Sequence, residues 1–154
     1  MAISVKPIPP MGFRQATDDD ADLLYAMHMA TMKDYVDQTW GWDDAFQASV
    51  FRKNYVPAQI QIITLDDKDI GMISLEERYD DTFLRAIEIH PAHQGQGRAT
   101  RIIHQIITDS VSKQKPVLLY VLKVNPAEKL YERLGFSVIE ETETHFIMKT
   151  SLPK

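Results

Sequence analysis

Between residues 83 and 110 the apolar spacing changes period, and this change limits the fold more than any other feature. FLRAIEI, residues 83–89, alternates in its second half, with Ile87 and Ile89 on one face and Ala86 and Glu88 on the other, as in a strand. Beyond HPAHQGQG, the residues Ala99, Ile102, Ile103, Ile106, Ile107 and Ser110 recur at helical spacing. A strand that feeds an amphipathic helix through a glycine turn must bury an apolar stripe against a sheet.

The remaining segments extend this pattern. MGFRQA, residues 11–16, reads as a short strand. Thr17 and Asp18, Asp19 and Asp20 start a helix, with carboxylates where the dipole favours them. Its apolar face is expected at Leu23, Leu24, Met27, Thr31 and Tyr35, and Gly41 breaks it. A second short helix is expected to bury Ala45, Phe46, Ser49, Val50 and Tyr55 and to end before Pro57. QIQIITL, residues 59–65, and IGMISLEE from Ile70 form a hairpin around DDKD. VLLYVLKV, residues 117–124, is a strand covered on both faces. AEKLYERL is a short helix closed by Gly135 as its C′ residue, and FSVIEE and THFIMKT make a last strand pair. The expectation is an α/β (α+β mixed) fold, a mixed sheet flanked by helices. Residues 1–10, with three prolines, form a tail, and residues 11–154 form a single domain.

Composition narrows the functional classes. The formal net charge of −5 argues against a nucleic-acid partner, which usually meets a basic footprint. No run approaches the ~20 apolar residues of a membrane helix, and the amino terminus does not resemble a signal peptide. The chain has no cysteine, so it has no disulfide, thiolate metal site or cysteine nucleophile. A cytoplasmic protein is expected. His90 and His93 lack a third ligand, so no metal site is expected.

The glycine turn admits several readings. A Walker phosphate loop needs a Lys and a hydroxyl that do not follow Gly97. A dinucleotide fingerprint needs a third glycine where Thr100 stands. A purely steric strand-to-helix turn is a third reading. The fourth is a phosphate cradle, because glycines admit close backbone approach and a helix start presents unpaired N–H groups. Arg98 and Arg101 add positive charge there.

Gln94-Gly95-Gln96-Gly97-Arg98-Ala99 resembles Q/R-x-x-G-x-G/A, the acetyl-CoA signature of the GNAT superfamily of N-acetyltransferases. Asn125-Pro126-Ala127 followed by Leu130-Tyr131-Glu132-Arg133-Leu134-Gly135-Phe136 resembles that family's N-x-x-A…LY-x-x-x-GF segment. The resemblance spans roughly residues 11–150 in element order. It implies a GNAT-like fold with a mostly antiparallel sheet of six to seven strands and about four helices. It also implies transfer of acetyl from acetyl-CoA directly to a primary amine of a small molecule or peptide. Many family members are homodimers, so a homodimer is one implied assembly.

Further roles follow from that resemblance. The backbone of Gln94, Gly95, Gln96, Gly97, Arg98 and Ala99 would hold the pyrophosphate. The strand edge at Ile87 and Ile89 would pair with pantetheine, and the Ile89 N–H would polarise the thioester carbonyl. Tyr131 would be the general acid, although packing beside Phe136 is its plain structural alternative. Asn125 would bind the pantetheine arm, cap the following helix, or both. The base is open among Glu88, Glu76, Glu77, His90 and His93, with Glu88 first because it lies on the strand beside the thioester. Trp40 and Trp42, near Asp43 and Asp44, would line the acceptor site with Glu76, or would pack a helix corner. Two other functions stay open: a non-catalytic acyl-CoA-binding or regulatory module, and a different nucleotide-binding fold.

Overall fold

The change of period at residue 90 becomes strand β4, Thr82–Ile89, and helix α3, Arg98–Ser112. They belong to a computed structural model that describes residues 11–152, so the expected tail lies outside the described residues. The other strands are β1 Met11–Gln15, β2 Ile60–Leu65, β3 Lys68–Glu77, β5 Val117–Leu122, β6 Phe136–Glu141 and β7 His145–Thr150. The other α-helices are α1 Ala21–Trp40, α2 Asp44–Lys53 and α4 Ala127–Arg133. The strand order is β1-β2-β3-β4-β5-β7-β6. Pairing is antiparallel in β1–β2, β2–β3, β5–β7 and β6–β7, and parallel in β4–β5, so the expected mixed, mostly antiparallel sheet is present. The chain divides into two compact units, with the division falling inside β3 and β4.

The first unit covers residues 11–74 and 86–94 of those described. Its core gathers Ala16, Leu24, Ile60, Ile62 and Met72, with Phe51, Tyr55 and Ala86 packed against them. Helix α1 buries Ala21, Leu24, Met27 and Val36, while Leu23, expected on the apolar face, is exposed. The stripe follows the i, i+3 rows through Ala21, Leu24 and Met27, and Leu23 sits beside it. Helix α2 also departs from expectation: Ala45, Phe46 and Ser49 are exposed, and Phe51 turns inward. Ala48, Phe51 and Tyr55 satisfy helical spacing equally well, and Phe51 gains ring contacts with Tyr25, His28 and Tyr55.

The β2–β3 hairpin is tighter than DDKD suggests. Asp66 and Asp67 both take positive φ, 49° and 64°, so two residues close the turn and Lys68 already pairs with Leu65. Asp is among the few non-glycine residues that tolerate this region. Further along β3, Gly71 permits a close approach to β4: a Cβ there would lie 2.4 Å from the Glu88 carbonyl oxygen. The His90 N–H, just past β4, donates to the Ile70 carbonyl at 2.8 Å.

The second unit covers residues 75–85 and 95–152 of those described. Its helix α3 buries Ile102, Ile103, Ile106 and Ser110. Each isoleucine removed from water contributes about 1.5–3 kcal/mol. Ser110 is tolerated there because its hydroxyl donates to the Lys115 carbonyl at 2.7 Å and lies 2.9 Å from Thr82 Oγ1. Strand β5 is buried at every position except Tyr120, and β4 pairs with it from Thr82↔Val117 to Leu84↔Leu119. Gly135 follows α4 with φ 105°, the expected C′ position.

Substituting Gly71→Ala should cost about 1–3 kcal/mol, because backbone rather than a yielding side chain meets the new methyl. For a chain of this size the thermal midpoint should fall by roughly 2–4 °C per kcal/mol. An unchanged midpoint in thermal unfolding by circular dichroism would refute the close approach.

Candidate active site

Glu88 belongs to the first unit and is 7% exposed. Burying a carboxylate is costly unless donors meet it. Helix α1 supplies two, one turn apart. His28 Nδ1 lies 2.8 Å from Glu88 Oε2, and Thr31 Oγ1 lies 3.1 Å from Oε1. The Thr31 hydroxyl is equally near the Met27 carbonyl, at 3.1 Å, so its single proton serves one acceptor at a time. The carboxylate oxygen accepts, so the ring nitrogen facing it donates.

Burial around His28 works against its charged form, but the hydrogen bond and charge of Glu88 outweigh it, and His28 ionises above its ordinary value. The Phe51 ring covers the imidazole, with centroids 5.6 Å apart. His28 was absent from the sequence-based candidates. The only signal for it is its place, with Thr31, on the row that also carries Leu24 and Met27.

At the end of β4, Ile89 is buried and Ile87 half-buried. Gln94 Nε2 donates to the Ile89 carbonyl at 2.8 Å, so the first residue of the turn motif anchors the strand end. The Gln94 N–H points to the Pro91 carbonyl at 3.4 Å. His90 caps the intervening helical turn, its Nδ1 accepting from the Ala92 N–H at 3.1 Å. Its ring stands 6.4 Å from that of His93. Among the described residues no group of three His, Cys, Asp or Glu could hold a metal ion.

Trp40 and Trp42 flank the Gly41 break. Trp40 is 59% exposed and Trp42 half-buried. The Trp42 N–H donates to Asp37 Oδ1 at 3.0 Å, and Lys33 Nζ stands 5.8 Å from its ring centroid. Asp43 caps α2 by accepting from the Phe46 N–H at 3.0 Å, and Asp44 accepts from the Tyr25 hydroxyl at 3.1 Å. Both carboxylates therefore have structural employment at this corner.

The second unit carries the other motif residues. Gly95 and Gly97 take φ of 78° and 76°, the left-handed region that glycine enters without penalty. Gly97 caps α3 with no side-chain bond to the exposed N–H groups, and a Cβ built at either glycine meets nothing within 4 Å. An open turn before an uncapped fifteen-residue helix fits a pyrophosphate. Gln96 is exposed, and Arg98 and Ala99 are half-buried. Asn125 Oδ1 accepts from the Ala127 N–H at 2.9 Å, one residue before the Pro126 that caps α4 and not at the cap position itself, and leaves the amide NH2 for other partners. The Tyr131 ring is buried edge-on to Phe136 at 5.7 Å. Glu76 pairs with Arg85, and Glu77 with Lys113 and Lys115.

The family profile described as acetyltransferase (GNAT) domain matches residues 57–138, more than half of the chain. No curated protein matches it in sequence. Among solved structures it resembles the PaiA N-acetyltransferase of Thermoplasma acidophilum in complex with coenzyme A. The TM-score is 0.74 at 16% identity, over 92% of this chain and 98% of that one. An acetyltransferase of Thermus thermophilus gives 0.72 at 16% identity, over 97% and 100%. An N-acetyltransferase of Staphylococcus aureus gives 0.68 at 15%, over 90% and 100%. The chain belongs to the GNAT acetyltransferase family and is an acyltransferase. Among the described residues no helix is long and apolar enough to cross a membrane.

The raised His28 value implies a pH-dependent stability. The pair's contribution is present below the unfolded imidazole value of about 6.5 and is lost as pH rises through the higher folded value. Wild-type stability should therefore decline over that window, and His28→Gln should flatten the decline. Urea unfolding at a series of pH values checks this; parallel curves for both proteins would contradict it.

Proposed function

We propose that this chain transfers the acetyl group of acetyl-CoA directly to a primary amine, acting in the cytoplasm as one acetyltransferase domain. The observation that carries the reading is the open left-handed Gly95–Gly97 turn at the start of α3, in a chain of this family. Bound acetyl-CoA supplies the acetyl group as a thioester, already activated toward an amine.

The N–H groups of the turn and of the first helical residues, Gly95 to Ala99, hold the pyrophosphate oxygens, and the positive end of α3 adds to their attraction. Ile87 and Ile89 offer backbone groups to pantetheine in the manner of an added strand. The Ile89 N–H polarises the thioester carbonyl, a donor worth ~2.7–4 kcal/mol in a water-excluded site. Asn125 holds the pantetheine arm with its amide NH2, the oxygen being engaged by the Ala127 N–H. Tyr131 gives its phenolic proton to the departing sulfur. Proton removal from the amine is organised around Glu88. With no cysteine in the chain there is no cysteinyl acyl-enzyme, and positioning the two reactants is the main contribution. Trp40 and Trp42 border the acceptor, with Glu76 as a further acidic contact. Packing on Phe136 is the structural alternative to the acid role of Tyr131.

Thiol release from acetyl-CoA across a panel of amines tests the reading, and the cysteine-free chain adds no background. Wild type should release thiol with one amine class. Tyr131→Phe should bind coenzyme A normally and turn over ~10²–10⁴-fold more slowly. Gly97→Glu should lose coenzyme A binding in calorimetry, through steric block and like charge. Full activity in the first variant would remove the acid assignment, and tight binding by the second would remove the cradle.

A further inference from the structure

Three groups of polar side chains lie away from the cofactor turn. Arg14 with Asp20 and Asp69 ties β1 to the hairpin and to the start of α1, and leaves no group for chemistry. Lys115 with Glu77 and the Arg78 carbonyl closes the loop after α3 in the same way. The third, His28 with Glu88 and Thr31, differs because its histidine engages only one of its two ring nitrogens there.

Each Glu88 oxygen has a donor within reach, and its side chain is 6% exposed. The His28 side chain is 25% exposed. Among the described residues Glu88 is the hydrogen-bond partner of the imidazole, through Nδ1. Among the same residues no buried side-chain nitrogen or oxygen lacks a partner. Nε2 is therefore open to solvent. With Nδ1–H fixed on the carboxylate, the neutral ring carries its lone pair on Nε2.

From this geometry we infer that His28 Nε2, rather than Glu88, accepts the proton from the acceptor amine, and that Glu88 is a positioning residue that fixes the ring and its tautomer. The inference rests on the acetyltransferase reading above. As the N–C bond forms, the amine proton passes to Nε2, the C–S bond breaks, and its electron pair leaves with sulfur. Tyr131 protonates that sulfur, and imidazolium and tyrosinate return to their resting states by exchange with water. The resulting imidazolium sits 2.8 Å from a carboxylate that stabilises it. Thr31 Oγ1 from the same helix stands 3.1 Å from the other oxygen. Among groups facing the imidazole, β4 presents Glu88 and α2 presents the uncharged Phe51 ring. Tyr25, which shares that ring, is bound to Asp44.

Two measurements decide the matter. Nitrogen-15 NMR of the unliganded protein should show a neutral His28 protonated on Nδ1, with a midpoint above that of an ordinary imidazole. Glu88→Gln should lower that midpoint. A ring protonated on Nε2 above its midpoint would overturn the proposal without reference to activity. In the thiol-release assay His28→Gln should lose ~10²–10⁴-fold in kcat. It should also lose the acid limb of the kcat/KM profile, with the affinity for coenzyme A unchanged. A variant that keeps both rate and acid limb while wild type is active overturns His28 alone and leaves the acetyltransferase reading standing. No release by wild type from any amine overturns that reading, and the base assignment with it.

Discussion

Taking a carboxylate out of water costs several kcal/mol unless donors replace the lost hydration. Glu88 meets that condition through one helical turn of α1, and much of the first unit follows from it. The helix must run far enough for His28 and Thr31 to reach β4. Its N-terminal part must be fixed by Ala21, Leu24 and Met27, or the two donors would be out of register. Gly71 brings β3 against the Glu88 backbone, so the strand that carries the carboxylate is located from its other side as well. Side chains on two elements are thus aligned by apolar packing that takes no part in chemistry.

The second unit solves the opposite problem. Its polar groups at the C-terminal end of α3 are satisfied within the chain, with Ser110 reaching the Lys115 carbonyl and Thr82 beside it. At the N-terminal end no side chain caps the helix, and two glycines hold the approach open. A helix with one end closed by its own chain and the other bare directs its positive end at whatever anion enters the turn.

Much of this was legible in the sequence because it depends on neighbours along the chain. The period change at residue 90, the Gly41 break and the glycine turn are local signals, and each stands where expected. Helix α2 was misread because ten residues of weak amphipathicity accommodate two faces. Tertiary contact with Tyr25 and His28 chose the one bearing Phe51. The Asp66–Asp67 turn was missed because left-handed backbone is not marked when glycine is absent. His28 was invisible for a stronger reason: its partner lies sixty residues downstream, and a histidine inside a helix has no motif. The carboxylate could be named from its strand, but not the group that holds it.

The ammonium of Lys33 over the Trp42 ring makes that aromatic face an occupied one. A cation arriving from solution competes with a tethered rival whose effective concentration is of millimolar order. Weakly bound monocations would be turned away, and a guest that also engages nearby groups would displace the lysine. In the acceptor-bordering role proposed for Trp42, the corner would discriminate by internal competition, with the chain itself setting the threshold.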